Sequence, residues 1–300
     1  MYNPQNTTVF PVPTVEGGGR ATVRRDSWTY PCAAAIITPC GSTGRMRGTF
    51  SMMPTRLPLP AMDADEWRLR CELTDFYHLI DFLGWTEMIF NHISVRLPGP
   101  EHHYLVNPFG LNYCEITPEN LLKVGVDGRL VEASEYAANP AGFALHGVIH
   151  ESRPDVACVA HTHTTAVSAV AMKRGGFDHN NFYAAQFYGR VGYHEFEGIT
   201  LYADERGRML KSLGNKHVLV LRNHGIAVCE RDIPSTFVLL WTVQRAAEIQ
   251  CQAGALGGED VQLSEAVKER CRDVATDLGS GIGVARLVFD ATVRRMRQRS

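Results

Sequence analysis

Three absences bound the reading of this 300-residue chain. It has no surplus of charge: 30 Lys and Arg against 32 Asp and Glu leave a formal net charge of -2, without any basic run. That excludes the electrostatic footprint used to hold nucleic acid or an anionic membrane surface. It has no apolar run approaching the ~18 to 20 residues of a membrane span. The short "CAAAIITP" after Arg24 and Arg25 is closely bracketed by Pro31 and Pro39, which makes it a poor secretory signal. It also has no Cys-x-x-Cys spacing. Cys32, Cys40, Cys71, Cys114, Cys158, Cys229, Cys251 and Cys271 are scattered, which argues against a zinc ribbon and a disulfide framework. The expectation is a cytoplasmic protein with neither nucleic acid nor membrane as partner.

What is present is enough apolar sequence, 45% of the residues, for a sizeable core. Residues 1–62 are rich in Pro, Gly, Thr and Ser and show no sustained period, so they read as a poorly structured N-terminal extension. Translation starting at Met52 or Met53 is one hypothesis for that extension. From residue 63 the pattern changes. Trp67, Leu69, Leu73, Phe76, Leu79, Ile80 and Leu83 fall at helical spacings behind Asp63 or Asp65 as cap. "HISVRL", "HYLVN", "VACVAH", "HVLVL" and "IAVC" read as strands. "NPAGFALHGVIHES", "TTAVSAVAMK" and three long C-terminal segments read as helices. A further helix is expected over "ITPENLLKV", with Thr117 as N-cap and Pro118 in its first turn. Residues 63–300 thus form one layered α/β domain, a sheet flanked by helices.

One strand carries an oddity. His161 and His163 sit at the end of "VACVAH" and beyond it, two apart, so both imidazoles project to one side. Such a pair can chelate a metal, and a catalytic site needs a third protein ligand plus an open position. His224, in "VLVLRNHGIAV", ends another apolar strand before a glycine and is the candidate third ligand. Among 12 histidines an HxH pair also arises without metal, as packing.

The run "ESRPDVACVAHTHTTAVSAVA", with "VLVLRNHGIAVCERDIPSTFVLLWTVQRAAEIQ" downstream, resembles the class II aldolase/adducin family. "FNHISVRLPGPEHHYLVNPFGLNYCEITPENLLKV" resembles its N-terminal half. The resemblance covers roughly residues 64 to 255 of the chain. It implies a layered α/β/α domain whose central sheet is mixed and mostly antiparallel, and a homotetramer with active sites between subunits. It also implies a divalent metal, zinc most often, with iron or manganese as alternatives, held by His161, His163 and His224.

Departures from the family's sugar-phosphate aldolases narrow the function. Where those carry a Ser-Ser-Glu motif, this chain has Pro140, Ala141 and Gly142, so the acid/base glutamate and both phosphate-binding hydroxyls are missing. Asn91 and His92 replace a Gly-Asn pair, and Phe109 stands in the phosphate-binding turn. The substrate is therefore expected to be a small, non-phosphorylated carboxylate, an oxo, hydroxy or aromatic acid. Carbon–carbon lyase chemistry leads. An iron oxygenase using the same three histidines, as in one branch of the family, and a non-catalytic module of the adducin type are the alternatives. Tyr183, near the position of a tyrosine that acts from a neighbouring subunit, and His146, one turn beyond Gly142, are the catalytic candidates. His150 shares a helix face with His146. Arg96 and Asn107 are possible carboxylate binders, Asn223 orients the turn before His224, and Glu195 and Glu197 read as the solvated face of a strand.

Overall fold

The computed structural model describes residues 63–199, 204–281 and 283–299, so the expectations for residues 1–62 lie outside the described residues. In chain order the elements are α1 (Ala64–Phe82), β1 (His92–Arg96), β2 (Tyr104–Val106), β3 (Leu122–Val124), α2 (Pro140–Gly142), α3 (Val148–Ser152), β4 (Cys158–Thr162), α4 (Thr165–Ala171), α5 (Phe182–Ala185), β5 (Val191–His194), α6 (Glu205–Leu213), β6 (Val218–Leu221), β7 (Gly225–Glu230), α7 (Ile233–Gly254), α8 (Glu265–Gly281) and α9 (Val284–Arg297). The strands make one sheet in the order β3-β2-β1-β4-β7-β6-β5. Every pairing is antiparallel except the parallel β5–β6 edge, which is the mixed, mostly antiparallel sheet expected. Among the described residues no helix is long and apolar enough to cross a membrane.

Strand alternation divides the apolar side chains between two cores. Ile93, Val95, Cys158, Ala160, Val218, Val220, Ile226 and Val228 face one way, against Phe76 of α1, Val167 of α4, Phe237 of α7 and Phe289 of α9. Phe76, Phe237 and Phe289 meet edge to face, with ring centroids 5.6 to 6.4 Å apart. The alternate residues Val159, Leu219, Leu221, Ala227 and Cys229 face the other way, against Leu145, Val148 and Ile149 and against Met209 and Leu213 of α6. Helices on both sheet faces give the three layers.

Two local features position the site. Helical backbone runs from Pro140 to Ser152, with a π turn, Phe143–Gly147, joining α2 to α3. Its end is fixed by the "RPD" run. Arg153 donates two hydrogen bonds to the Asp155 carboxylate, at 2.8 and 2.7 Å, and two more to the carbonyls of Gly214 and Lys216, at 2.7 and 2.9 Å. The chain is thereby aimed into β4.

The helix expected over "ITPENLLKV" does not form. Thr117 N–H donates to Asn120 Oδ1 at 2.8 Å and Asn120 N–H reaches back to Thr117 Oγ1 at 3.3 Å, which closes a single turn. Local side-chain bonds of this kind compete with helix propagation. The following Leu-Lys-Val then alternates buried, half-buried, buried as β3. Glu195 and Glu197 are exposed, as expected, but lie beyond the end of β5.

Candidate metal centre

Strand register brings the three histidines together. β4 pairs with β7 so that His161 lies opposite Ala227 and Thr162 opposite Ile226. β7 is reached from β6 through Arg222, Asn223 and His224, a turn short enough that Leu221 pairs with Gly225. Asn223 takes the left-handed conformation, φ 56°, which its short polar side chain tolerates better than most. The expected orienting role of Asn223 thus lies in its backbone. A Cβ on Gly225 would lie 2.4 Å from Thr162 O and 2.9 Å from His163 Cδ2, so glycine is what lets the two histidine-bearing segments approach.

One ring nitrogen from each of His161, His163 and His224 lies within 4.8 Å of the others. His161 Nε2 and His163 Nε2 are 2.6 Å apart. His161 Nδ1 is 2.8 Å from Ile226 O and donates its N–H there, which leaves the Nε2 lone pair facing the cluster. Ser168 of α4 braces both segments, its hydroxyl lying 3.0 Å from His163 O and 2.9 Å from His224 O. Burial disfavours the charged form of all three rings: His161 is held well below the ordinary histidine range, His163 is pushed down to about 4, and His224 is lowered by the same cause. Three convergent imidazoles whose charged form is disfavoured, one of them with its tautomer fixed, are a donor set that a divalent metal takes. His161 is buried while His163 and His224 are half-buried, so the cluster opens on one side.

Behind the cluster lies a second group that sequence reasoning resolved only in part. His92 is paired with His161 across β1–β4, and their rings stack at 5.0 Å. His92 Nδ1 lies 2.8 Å from His146 Nε2. Ser94 Oγ lies 2.6 Å from His146 Nδ1 and 2.7 Å from His150 Nε2. All four residues are buried. His146 was expected in the site and lies behind the three histidines, reached through His92. His92 entered the sequence reading only as a departure from the aldolases, and Ser94 not at all. Nothing but the register shows that Ser94 and His92, two apart, face His146 and His150 on the helix above.

Other candidates fall elsewhere within the chain. Tyr183 is half-buried on α5, its ring against Phe182 and Trp241 at 5.1 and 5.5 Å. Arg96 donates to the backbone carbonyls of Arg153, at 2.6 Å, and Val156. Asn107 accepts a hydrogen bond from the Tyr77 hydroxyl at 3.0 Å. Arg96 and Asn107 thus hold strand ends within the chain.

The chain matches the family model described as Class II Aldolase and Adducin N-terminal domain over residues 71–251. It is 36% identical over 241 residues to a Pseudomonas aeruginosa protein whose name, an aldolase class 2 protein, is an unverified designation; the match covers 80% of this chain and 93% of that one. It is also 36% identical over 230 residues to alpha-adducin of Rattus norvegicus, covering 74% of this chain but only 31% of that longer protein. An aldolase II superfamily protein from Pseudomonas syringae superposes with a TM-score of 0.75 at 36% identity, over 80% of this chain and 96% of the other. With the sheet order, the histidine cluster and these matches in agreement, the chain belongs to the class II aldolase and adducin family.

Proposed function

We propose that this protein is a metal-dependent carbon–carbon lyase, of aldolase or decarboxylase type, acting on a small non-phosphorylated oxo, hydroxy or aromatic acid. The observation that carries the reading is the convergence of three neutral imidazoles at a half-open mouth. Family membership supports the lyase class. His161, His163 and His224 would hold one divalent ion, zinc in first place, with iron, which imidazole also suits, or manganese as alternatives. Such an ion, when bound, acts as a Lewis acid toward a carbonyl or carboxylate oxygen.

The chain's own residues do the rest. His163 and His224 leave the mouth accessible to a chelating acid, while buried His161 is anchored to β7 through Ile226. Phe109 and Pro140 offer no side-chain donor to a phosphate, which supports a substrate without one. Tyr183 is proposed as an acid supplied by a second copy of the chain. Exposed Phe182, 70% accessible, lies beside it, as a side chain covered by a neighbour would. A homotetramer is the assembly proposed.

The reading is tested by loading the purified protein with zinc, manganese or iron and following cleavage of non-phosphorylated 3-hydroxy and 2-oxo acids under argon, with phosphorylated analogues alongside. Cleavage without dioxygen, restricted to the unphosphorylated acids and absent from His163→Ala, is the expected outcome. Consumption of dioxygen by the iron form, with no anaerobic cleavage, would move the same site to oxidative chemistry. Inert protein with every metal would leave the adducin-like binding role.

A further inference from the structure

The hydroxyl of Ser94 sits between two ring nitrogens, His146 Nδ1 at 2.6 Å and His150 Nε2 at 2.7 Å. A hydroxyl has one proton, so it donates to one of them and accepts from the other. That constraint propagates. If Ser94 donates to His150, His146 donates Nδ1–H to Ser94, His92 donates Nδ1–H to His146 Nε2, and His92 Nε2 carries a lone pair. If Ser94 donates to His146, every bond reverses and His92 Nε2 carries the N–H. The two settings have the same net charge and differ only in tautomer.

The two ends of this chain are unlike. At the inner end His150 is fully buried, and no described residue hydrogen-bonds to its Nδ1. At the outer end no described residue hydrogen-bonds to His92 Nε2, and the ring lies against His161. A Cβ built at Gly142 would lie 3.5 Å from His92 Cγ and Cδ2 and 3.7 Å from Nε2. Gly142 thus leaves its space to the His92 ring, where a longer side chain would compete with it.

We infer that His92 is a substrate-contacting residue of the metal centre, presenting Nε2 to an oxygen of the bound acid, and that His146, Ser94 and His150 are positioning residues that set whether this nitrogen donates or accepts. The inference rests on the metal-site reading above. It predicts that one site can hydrogen-bond either a carboxylate or carbonyl oxygen, with Nε2 as donor, or a hydroxyl, with Nε2 as acceptor, without gaining or losing charge.

Two measurements test it on the full chain. The first loads wild type, His92→Phe and Ser94→Ala with zinc, records the zinc content of each, and titrates acetohydroxamate, a small oxygen chelator, by calorimetry. The expected result is unchanged zinc, affinity about tenfold lower in His92→Phe and a smaller loss in Ser94→Ala, the size of a hydrogen bond removed or misdirected. The second records solid-state ¹⁵N spectra of metal-free, histidine-labelled protein, with the His92 signals assigned by their loss in His92→Phe. Ser94→Ala, which touches neither His92 nor a metal ligand, is expected to shift them through His146; a Ser94 that only fills space would leave them alone. Equal acetohydroxamate affinities at full zinc content, no acetohydroxamate binding by any zinc-loaded protein, or unmoved His92 signals in Ser94→Ala would each overturn the inference. Wild type that takes up no zinc would instead overturn the metal reading, while the ¹⁵N comparison would still decide the relay.

Discussion

Histidine depth decides histidine behaviour in this protein. His163 and His224 are half-buried at the mouth, whereas His150 is fully buried at the far end of the relay. Desolvation, with Arg96 nearby, pushes His150 down to about 3 from an ordinary value near 6.5. The sign follows from linkage. Above pH 6.5 the group is neutral in both folded and unfolded chains and contributes nothing to pH dependence. Between pH 6.5 and about 3 the unfolded chain binds a proton there that the folded chain refuses, so stability falls as pH falls. One such group gives a slope of up to about 1.4 kcal/mol per pH unit. In metal-free protein, urea unfolding between pH 6 and pH 4 is therefore expected to show a shallower loss of stability in His150→Asn than in wild type, by about one proton. Parallel slopes would show that His150 takes up its proton in the folded state. At this scale the His161 and His163 pair was legible in sequence, because an HxH pair at a strand end is a local pattern. Ser94 was not, because an isolated serine in a strand carries no signal until its cross-sheet neighbours are known.

Elements convert those residues into a site through register. His92 meets His161 because β1 and β4 pair antiparallel in one particular register, and slipping either strand by one residue would turn His92 to the opposite face. His224 meets them because the β6–β7 turn is tight and Gly225 leaves room at its base. Gly225→Ala is expected to push His163 away from the cluster. A Cβ 2.4 Å from a backbone carbonyl cannot be absorbed by a side-chain rotation, so both stability and metal affinity should drop, the former by about 1–3 kcal/mol. Metal titration and urea unfolding of that variant check this, and unchanged metal affinity would show that the turn can relax. The strands were readable from their apolar runs, and the long α7, α8 and α9 from their period. The failure over "ITPENLLKV" has a physical cause, since Thr117 and Asn120 satisfy each other's backbone and end the turn before a helix can propagate.

At the scale of the whole molecule, the described residues keep the buried histidines and much of the apolar packing on opposite faces of one sheet. The larger apolar core lies on the side of α1, α4, α7 and α9, with Phe76, Phe237 and Phe289 at its centre. The relay lies on the other side, beneath the helical stretch from Pro140 to Ser152. Phe289→Ala should accordingly cost about 3–5 kcal/mol of stability while sparing the histidine cluster. Layering of this kind was legible from the alternation of strands and helices, whereas which helix covers which face depends on topology that no local pattern encodes.

Elemental analysis reads out directly whether His161, His163 and His224 bind a metal ion. Wild-type protein, expressed without added metal and kept anaerobic, would be measured beside His161→Ala, His224→Ala and Phe289→Ala. About one divalent ion per chain in wild type and in Phe289→Ala, lost from both histidine variants, is the predicted result. Wild type that remains metal-free after reconstitution with zinc, manganese or iron, or histidine variants that keep the ion, would show that these three histidines are not a metal site.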